Sequence, residues 1–414
     1  MLYQLVRPVA RYVLRYYYRN IDITGLENIP RDAPVILAAN HPTAFIEPCL
    51  LACFQPRTLH FLARGDLYKN RLATATLRAL NILPVYRIQD GGYDKLVRNY
   101  DTFAECYASL SRGQAVMILA EGRCIHEKRL RPLRKGTARI ALGAIEHDTT
   151  LNEVYVVPVG VNFSAAERFR SAVSIRCGKA IAASEYLGAY RTNPANGIRL
   201  LTDRLRNDLS PLVLQVPAAA DDGAYDQLLE VVRNELAPEL VGVTHDGSVL
   251  TRQLAVPERP PGAWDTLLRY AARLKSHGIR DRDLRLARPT RMPYPALPAA
   301  LLLLPLLPLW GLAEAIALAK PRTVEFYSPV RFAVVAVGTL LYLPLVLLLP
   351  WGLKVYVLLS LLLVNWSLRT VERLLDWRGG RRVAQLPAAT RADLLAARRG
   401  CEAIAPGDRA RGPL

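Results

Sequence analysis

The chain has 414 residues, 51% of them hydrophobic, so it exceeds one average domain and has ample apolar content for a buried core. Its formal net charge of +18 directs expectation away from cationic partners and toward acidic ones: nucleic acid, an anionic membrane surface or phosphorylated substrates. Six cysteines at 49, 53, 106, 124, 177 and 401 form no C-x-x-C pair and no disulfide-like framework, and read as small core residues in a reducing compartment.

Over residues 1–20, Arg7, Arg11, Arg15 and Arg19 interrupt what would have to be the apolar region of a signal peptide. Their four-residue spacing instead lays them along one stripe of a helix. Leu2, Leu5, Val6, Val9, Val13, Tyr16 and Tyr17 cover much of the rest. A basic, tyrosine-rich amphipathic helix suits the interface of a membrane with anionic lipids, or alternatively packs on its own domain.

Residues 21–216 alternate short apolar runs with helix-like stretches. Strands are predicted at Val35–Ala39, Ile82–Tyr86, Ala115–Leu119, Tyr155–Val161 and Val173–Cys177, and helices between them at Tyr93–Arg112 and Gly136–Glu146. Such alternation predicts an α/β layered domain with a largely buried sheet flanked by helices. Residues 217–296 are mixed, with a helical run at Tyr225–Leu236 and a linker-like Arg259-Pro260-Pro261-Gly262.

Residues 297–368 are too apolar for a soluble surface and are expected to form C-terminal transmembrane helices. Leu297–Ala319 and Phe332–Leu353 are long enough to cross a bilayer, whereas Val355–Leu368 is short, with Pro350-Trp351-Gly352 as an expected tight turn. Residues 369–414 read as a basic tail.

The chemistry concentrates in four segments. In Asn40-His41-Pro42-Thr43-Ala44-Phe45-Ile46-Glu47-Pro48, His41 follows a strand directly, where open α/β sheets put their ligands. Histidine is the natural general base near neutral pH, and a carboxylate fixes its tautomer and stabilises the imidazolium. Next come Leu83-Pro84-Val85-Tyr86-Arg87, then Leu119-Ala120-Glu121-Gly122-Arg123, then Val156-Val157-Pro158-Val159-Gly160.

In this order the segments resemble the four blocks of the phospholipid/glycerol acyltransferase family, over about residues 20–215. The usual first block is Asn-His, four residues and Asp; a subgroup that includes fungal-type glycerol-3-phosphate acyltransferases places the acid one residue later, before Pro, as His41 to Glu47-Pro48 does here. Glu47 stands for the usual Asp, Ala120 for Pro, and Cys124 where Ser or Thr is common.

The resemblance implies a bacterial inner-membrane enzyme of phospholipid biosynthesis, its catalytic domain on the cytoplasmic side. It implies transfer of an acyl group from acyl-coenzyme A or acyl carrier protein to glycerol 3-phosphate or a lysophospholipid, with no bound cofactor. His41 would be the base and Glu47 its orienting acid. Arg87 and Arg123 would grip the acceptor phosphate, with Glu121 and Gly122 in the same substrate-binding loop. Gly-x-Ser-x-Gly, Walker and Gly-x-Gly-x-x-Gly motifs are absent, and His41, Glu47, Cys49 and Cys53 do not have zinc-site spacing. The competing class is a basic, membrane-anchored and catalytically inactive protein that binds anionic lipid or nucleic acid. No aromatic platform interleaved with basic residues is visible, which argues against a nucleic-acid partner.

Overall fold

The computed structural model describes residues 1–85, 93–216, 222–236, 241–256, 262–285, 292, 294–319 and 323–404. Its strands in chain order are β1 (Asn20–Thr24), β2 (Val35–Ala39), β3 (Leu59–Arg64), β4 (Ile82–Val85), β5 (Ala115–Leu119), β6 (Tyr155–Phe163), β7 (Ala172–Cys177), β8 (Ile181–Ala182) and β9 (Gly242–Thr244). They form one sheet in the order β4-β3-β5-β2-β6-β7-β1-β9, with β8 pairing β6 off that path. The β4 to β6 half is parallel, and β6 runs antiparallel to β7 and β8.

Strand alternation sorts the apolar residues into two cores. In β2 all five residues are buried; Val35, Leu37 and Ala39 face one core while Ile36 and Ala38 face the other. The first core is completed by α1 (Leu2–Tyr17) and α2 (Ile46–Phe54). Beyond α3 (Arg71–Ala79), the second is covered by α4 (Tyr93–Ser111) and α5 (Gly136–His147), and past α6 (Leu187–Thr192) by α7 (Pro194–Leu209). A charge at Leu37 would lose a side-chain burial of roughly 1.5–3 kcal/mol and leave an unpaired ion in the core. The strands and helices predicted within residues 21–236 form, with ends moved by one to three residues. Residue 86, expected as the last of its strand, lies outside the described residues. Sequence reasoning missed β1, because Asn20 and Asp22 break its apolar pattern. Asp22 is nonetheless buried, accepting from Thr244 Oγ1 and from the backbone N–H groups of Asp246 and Gly247.

The mixed segment and the tail join in one helical unit. Helices α8 (Asp222–Leu236), α9 (Ser248–Leu254), α10 (Ala263–Ser276) and α11 (Asp281–Arg285) precede the apolar region. After α12 (Ala296–Leu301), α13 (Leu307–Ala319) and α14 (Tyr327–Val346) come α15 (Trp351–Gln385) and α16 (Ala388–Glu402). Leu228, Leu267 and Tyr270 share a core with Val383, Leu394 and Cys401. Buried Asp281 ties it together, accepting from Asn234, Tyr270 and Arg398. Residues 369–402 are therefore helical and packed rather than a loose tail.

Among the described residues, three segments are long and apolar enough to cross a membrane: Ala296–Ala319, Val324–Val346 and Trp351–Gln385. Leu341, Leu347, Leu348 and Leu362 point outward from this region, more than 60% exposed, as lipid-facing side chains would. The expected second span, 332–353, straddles a break. Helix α14 ends at Val346, the chain turns, and Pro350 caps α15, so Trp351 and Gly352 begin a helix instead of forming the turn. Apolar content does not register that break; proline, lacking an N–H, sets it. The short 355–368 run lies inside the 35-residue α15.

Helix α1 turns its tyrosines into the protein. Tyr16 stacks on Trp310, and the Tyr17 ring meets Phe332 while its hydroxyl bonds Ser328 at 2.8 Å. Arg11 and Arg15 stay exposed. The helix thus packs against the membrane region through its aromatic face.

Candidate active site

The site loops leave the C-terminal ends of β2 and β5, adjacent parallel strands. Past Ala39 the Asn40 side chain takes over strand pairing: its Nδ2 donates to Val161 O at 3.0 Å and its Oδ1 accepts from Val161 N at 2.8 Å. This amide clamp ends the strand one residue before His41 and fixes where the imidazole begins. His41 is buried, and its backbone N–H donates to Glu121 Oε2 at 2.7 Å.

Glu47 sits in the first turn of α2, where the positive end of the helix dipole favours a carboxylate, and is fully buried. Thr43 holds it twice, through its backbone N–H to Oε1 at 2.6 Å and its hydroxyl to Oε2 at 2.9 Å. The Thr43 hydroxyl also accepts from Ile46 N at 3.3 Å, which satisfies the first N–H of the helix. His41 Nδ1 lies 3.8 Å from Glu47 Oε1 and has no hydrogen-bond partner among the described residues. That separation allows a charge interaction but exceeds a hydrogen bond by about 1 Å, as unliganded sites often do.

Glu121 is buried and occupied within the loop. Besides His41 N–H it accepts from Arg131 N at 2.7 Å and from Arg131 Nη2 at 2.9 Å. Arg131 also donates to the carbonyl of Arg123 and, at 3.4 Å, to that of His41. Gly122 has φ +72°, and a Cβ there would meet Arg134 Cγ at 2.9 Å, so the turn requires glycine. The turn leaves Arg123 on the exposed rim. Ala120 N donates to Ala39 O at 2.8 Å, lashing this loop to the His41 loop. Burial, helped by nearby Glu325 and Glu47, raises the Cys124 thiol above the usual range.

His41, Glu47, Glu121, Gly122 and Arg123 thus share one sheet edge. Arg87 lies outside the described residues, although β4, which it follows, ends on the same edge. Pro158 stands in β6 with its missing N–H between the β7 and β8 ladders, where no strand partner needs it. Sequence reasoning did not single out Thr43 or Arg131. Thr43 carried a signal, a Thr four residues before an acid at a helix start, whereas nothing local marked Arg131.

Residues 20–162 match the acyltransferase family model. Glycerol-3-phosphate O-acyltransferase 2 of Saccharomyces cerevisiae is 29% identical over 140 residues, which are 34% of this chain and 18% of that protein, so the chain matches under a fifth of the yeast relative's length. The crystal structure of the 1-acyl-sn-glycerophosphate (LPA) acyltransferase PlsC from Thermotoga maritima is similar at 17% identity and a TM-score of 0.37, covering 50% of this chain and 79% of that one. Residues 20–162 of this chain thus form a domain similar to the acyltransferase family.

Proposed function

We propose that the chain transfers a fatty acyl group from an acyl thioester, of coenzyme A or of acyl carrier protein, to a hydroxyl of glycerol 3-phosphate or its 1-acyl form. The observation that carries this reading is the buried pair of His41 and Glu47, 3.8 Å apart at the mouth of two parallel strands. The yeast relative's name supports glycerol 3-phosphate as an acceptor to test first.

A glycerol hydroxyl is a weak nucleophile until a base takes its proton. With Nδ1 turned toward Glu47, His41 offers Nε2 to the hydroxyl. As the oxygen bonds the thioester carbonyl carbon, the proton passes to Nε2 and the imidazolium is stabilised by Glu47. Collapse of the tetrahedral intermediate breaks the carbon–sulfur bond, and the leaving thiolate takes the proton back from His41. Ester and free thiol result, with no acyl-enzyme and no bound cofactor. Arg87 and Arg123 hold the acceptor phosphate, for which planar guanidinium groups suit bidentate contacts.

The same reading places the enzyme in bacterial phospholipid biosynthesis, integral to the inner membrane with its sheet domain on the cytoplasmic side. Three membrane-length helices and six unpaired cysteines support it. The test is thiol release from an acyl thioester by the purified membrane protein across a panel of acceptors. Release only when acceptor is present supports the reading. Silence with every acceptor favours a basic membrane-anchored protein that binds anionic lipid or nucleic acid.

A further inference from the structure

The start of the second membrane-length segment, Val324–Val346, reaches back to the site. Its half-buried Glu325 touches both loops that build the His41 environment: its carbonyl accepts from Ala44 N at 3.2 Å, and its carboxylate Oε1 accepts from His126 N at 3.1 Å. Ala44 lies between Thr43 and Glu47, and His126 closes the segment that begins at Glu121. Just beyond, Ser328 is tied to Tyr17 of α1, and Arg331 donates to Glu167 O at 2.7 Å. The head of α14 is thereby anchored at four points on the sheet domain.

We propose that Glu325 is a positioning residue for acyl transfer: the membrane hairpin forms one wall of the active-site scaffold, and Glu325 pins the His41–Glu47 loop to the Glu121–His126 loop. The inference rests on the acyl-transfer reading for its kinetic part and on geometry alone for the docking. Two loops that leave separate strands share only a few cross-bonds, among them His41 N–H to Glu121 and Ile125 N–H to His41 O at 3.3 Å. A third, outside contact to both therefore restricts their relative motion, and with it the gap between His41 and Glu47. Membrane insertion and catalytic geometry become linked, because the residue that steadies the site belongs to a segment oriented by the bilayer.

The experiment compares full-length parent, Glu325→Ala and Glu325→Gln in the same detergent or nanodisc. Alanine removes the acceptor of the His126 N–H, while the glutamine amide oxygen keeps it. Glu325→Ala is expected to lower kcat about tenfold with both KM values within about twofold of parent, and Glu325→Gln to recover most of the loss. Hydrogen exchange of the 121–127 segment is expected to quicken by about tenfold in Ala and to stay near parent in Gln. Parent-like kcat and exchange in Glu325→Ala overturn the proposal, as does a Gln variant as impaired as Ala. If the parent transfers no acyl group to any acceptor, the functional reading fails, and the exchange comparison then decides the docking by itself.

Discussion

Thr43 grips both oxygens of the Glu47 carboxylate, its backbone N–H at 2.6 Å and its hydroxyl at 2.9 Å. This answers the departure in the first motif, where the acid is one methylene longer and one residue later than usual. The longer arm is folded back and fixed by Thr43, so the carboxylate faces His41 instead of swinging on its extra bond. Replacing Thr43 with isosteric Val leaves Glu47 Oε2 buried without its donor, and the rate of acyl transfer should fall about tenfold. Thr43→Ser keeps both donors and should stay close to parent. Equal rates in Val and parent, measured at saturating substrates, would remove Thr43 from the mechanism.

His41→Ala should lower kcat by about 10²–10⁴ while leaving membrane insertion and the unfolding temperature unchanged. Glu47→Gln should also be strongly impaired, because an amide does not stabilise an imidazolium. Glu47→Asp keeps the charge but retracts it by roughly 1.5 Å, breaking the Thr43 contacts, and should fall between Gln and parent. Undiminished turnover in all three Glu47 forms would end the dyad.

Arg123→Ala and Arg87→Ala should each raise the acceptor KM, by about tenfold for loss of a charge-assisted contact, with the donor KM less affected. Steady-state kinetics with each substrate varied in turn checks this, and normal acceptor KM in both variants would refute the phosphate clamp.

Arg131→Ala should act on stability rather than on acceptor affinity. The side chain is 13% exposed and its partner Glu121 only 2%, so its removal leaves a buried carboxylate with two backbone donors but no counter-charge. The loss should be about 3–5 kcal/mol. Thermal unfolding of the purified protein reads it directly, and an unchanged transition would show that the loop does not depend on this pair.

Cys124 should alkylate slowly at neutral pH. Burial, then the negative charge of Glu325, raises its thiol pKa, so little thiolate is present below the ordinary cysteine range. Maleimide labelling in a background where the other cysteines are serine should speed up as pH rises through and beyond that range. Rapid labelling at neutral pH would contradict the enclosed environment.

The strands β2, β5 and β6, the order of the motif blocks and the apolarity of residues 297–368 were legible in the sequence. Each is a local property: alternating or unbroken apolar runs, spacing within a few residues, and hydropathy summed over a window. What the sequence left open depends on contacts between distant positions. His41 N–H meets Glu121 across 80 residues, and His126 N–H meets Glu325 across 199. Arg131 carries no local mark, yet the path of its loop brings it onto Glu121. The turn at residues 347–350 and the packing of 369–402 onto α8 and α10 are likewise decided by where the chain returns. Local patterns fix which residues must be buried, whereas the tertiary path fixes which polar groups meet once they are, because a hydrogen bond requires two partners within about 3 Å and sequence spacing constrains that distance only over a turn or two.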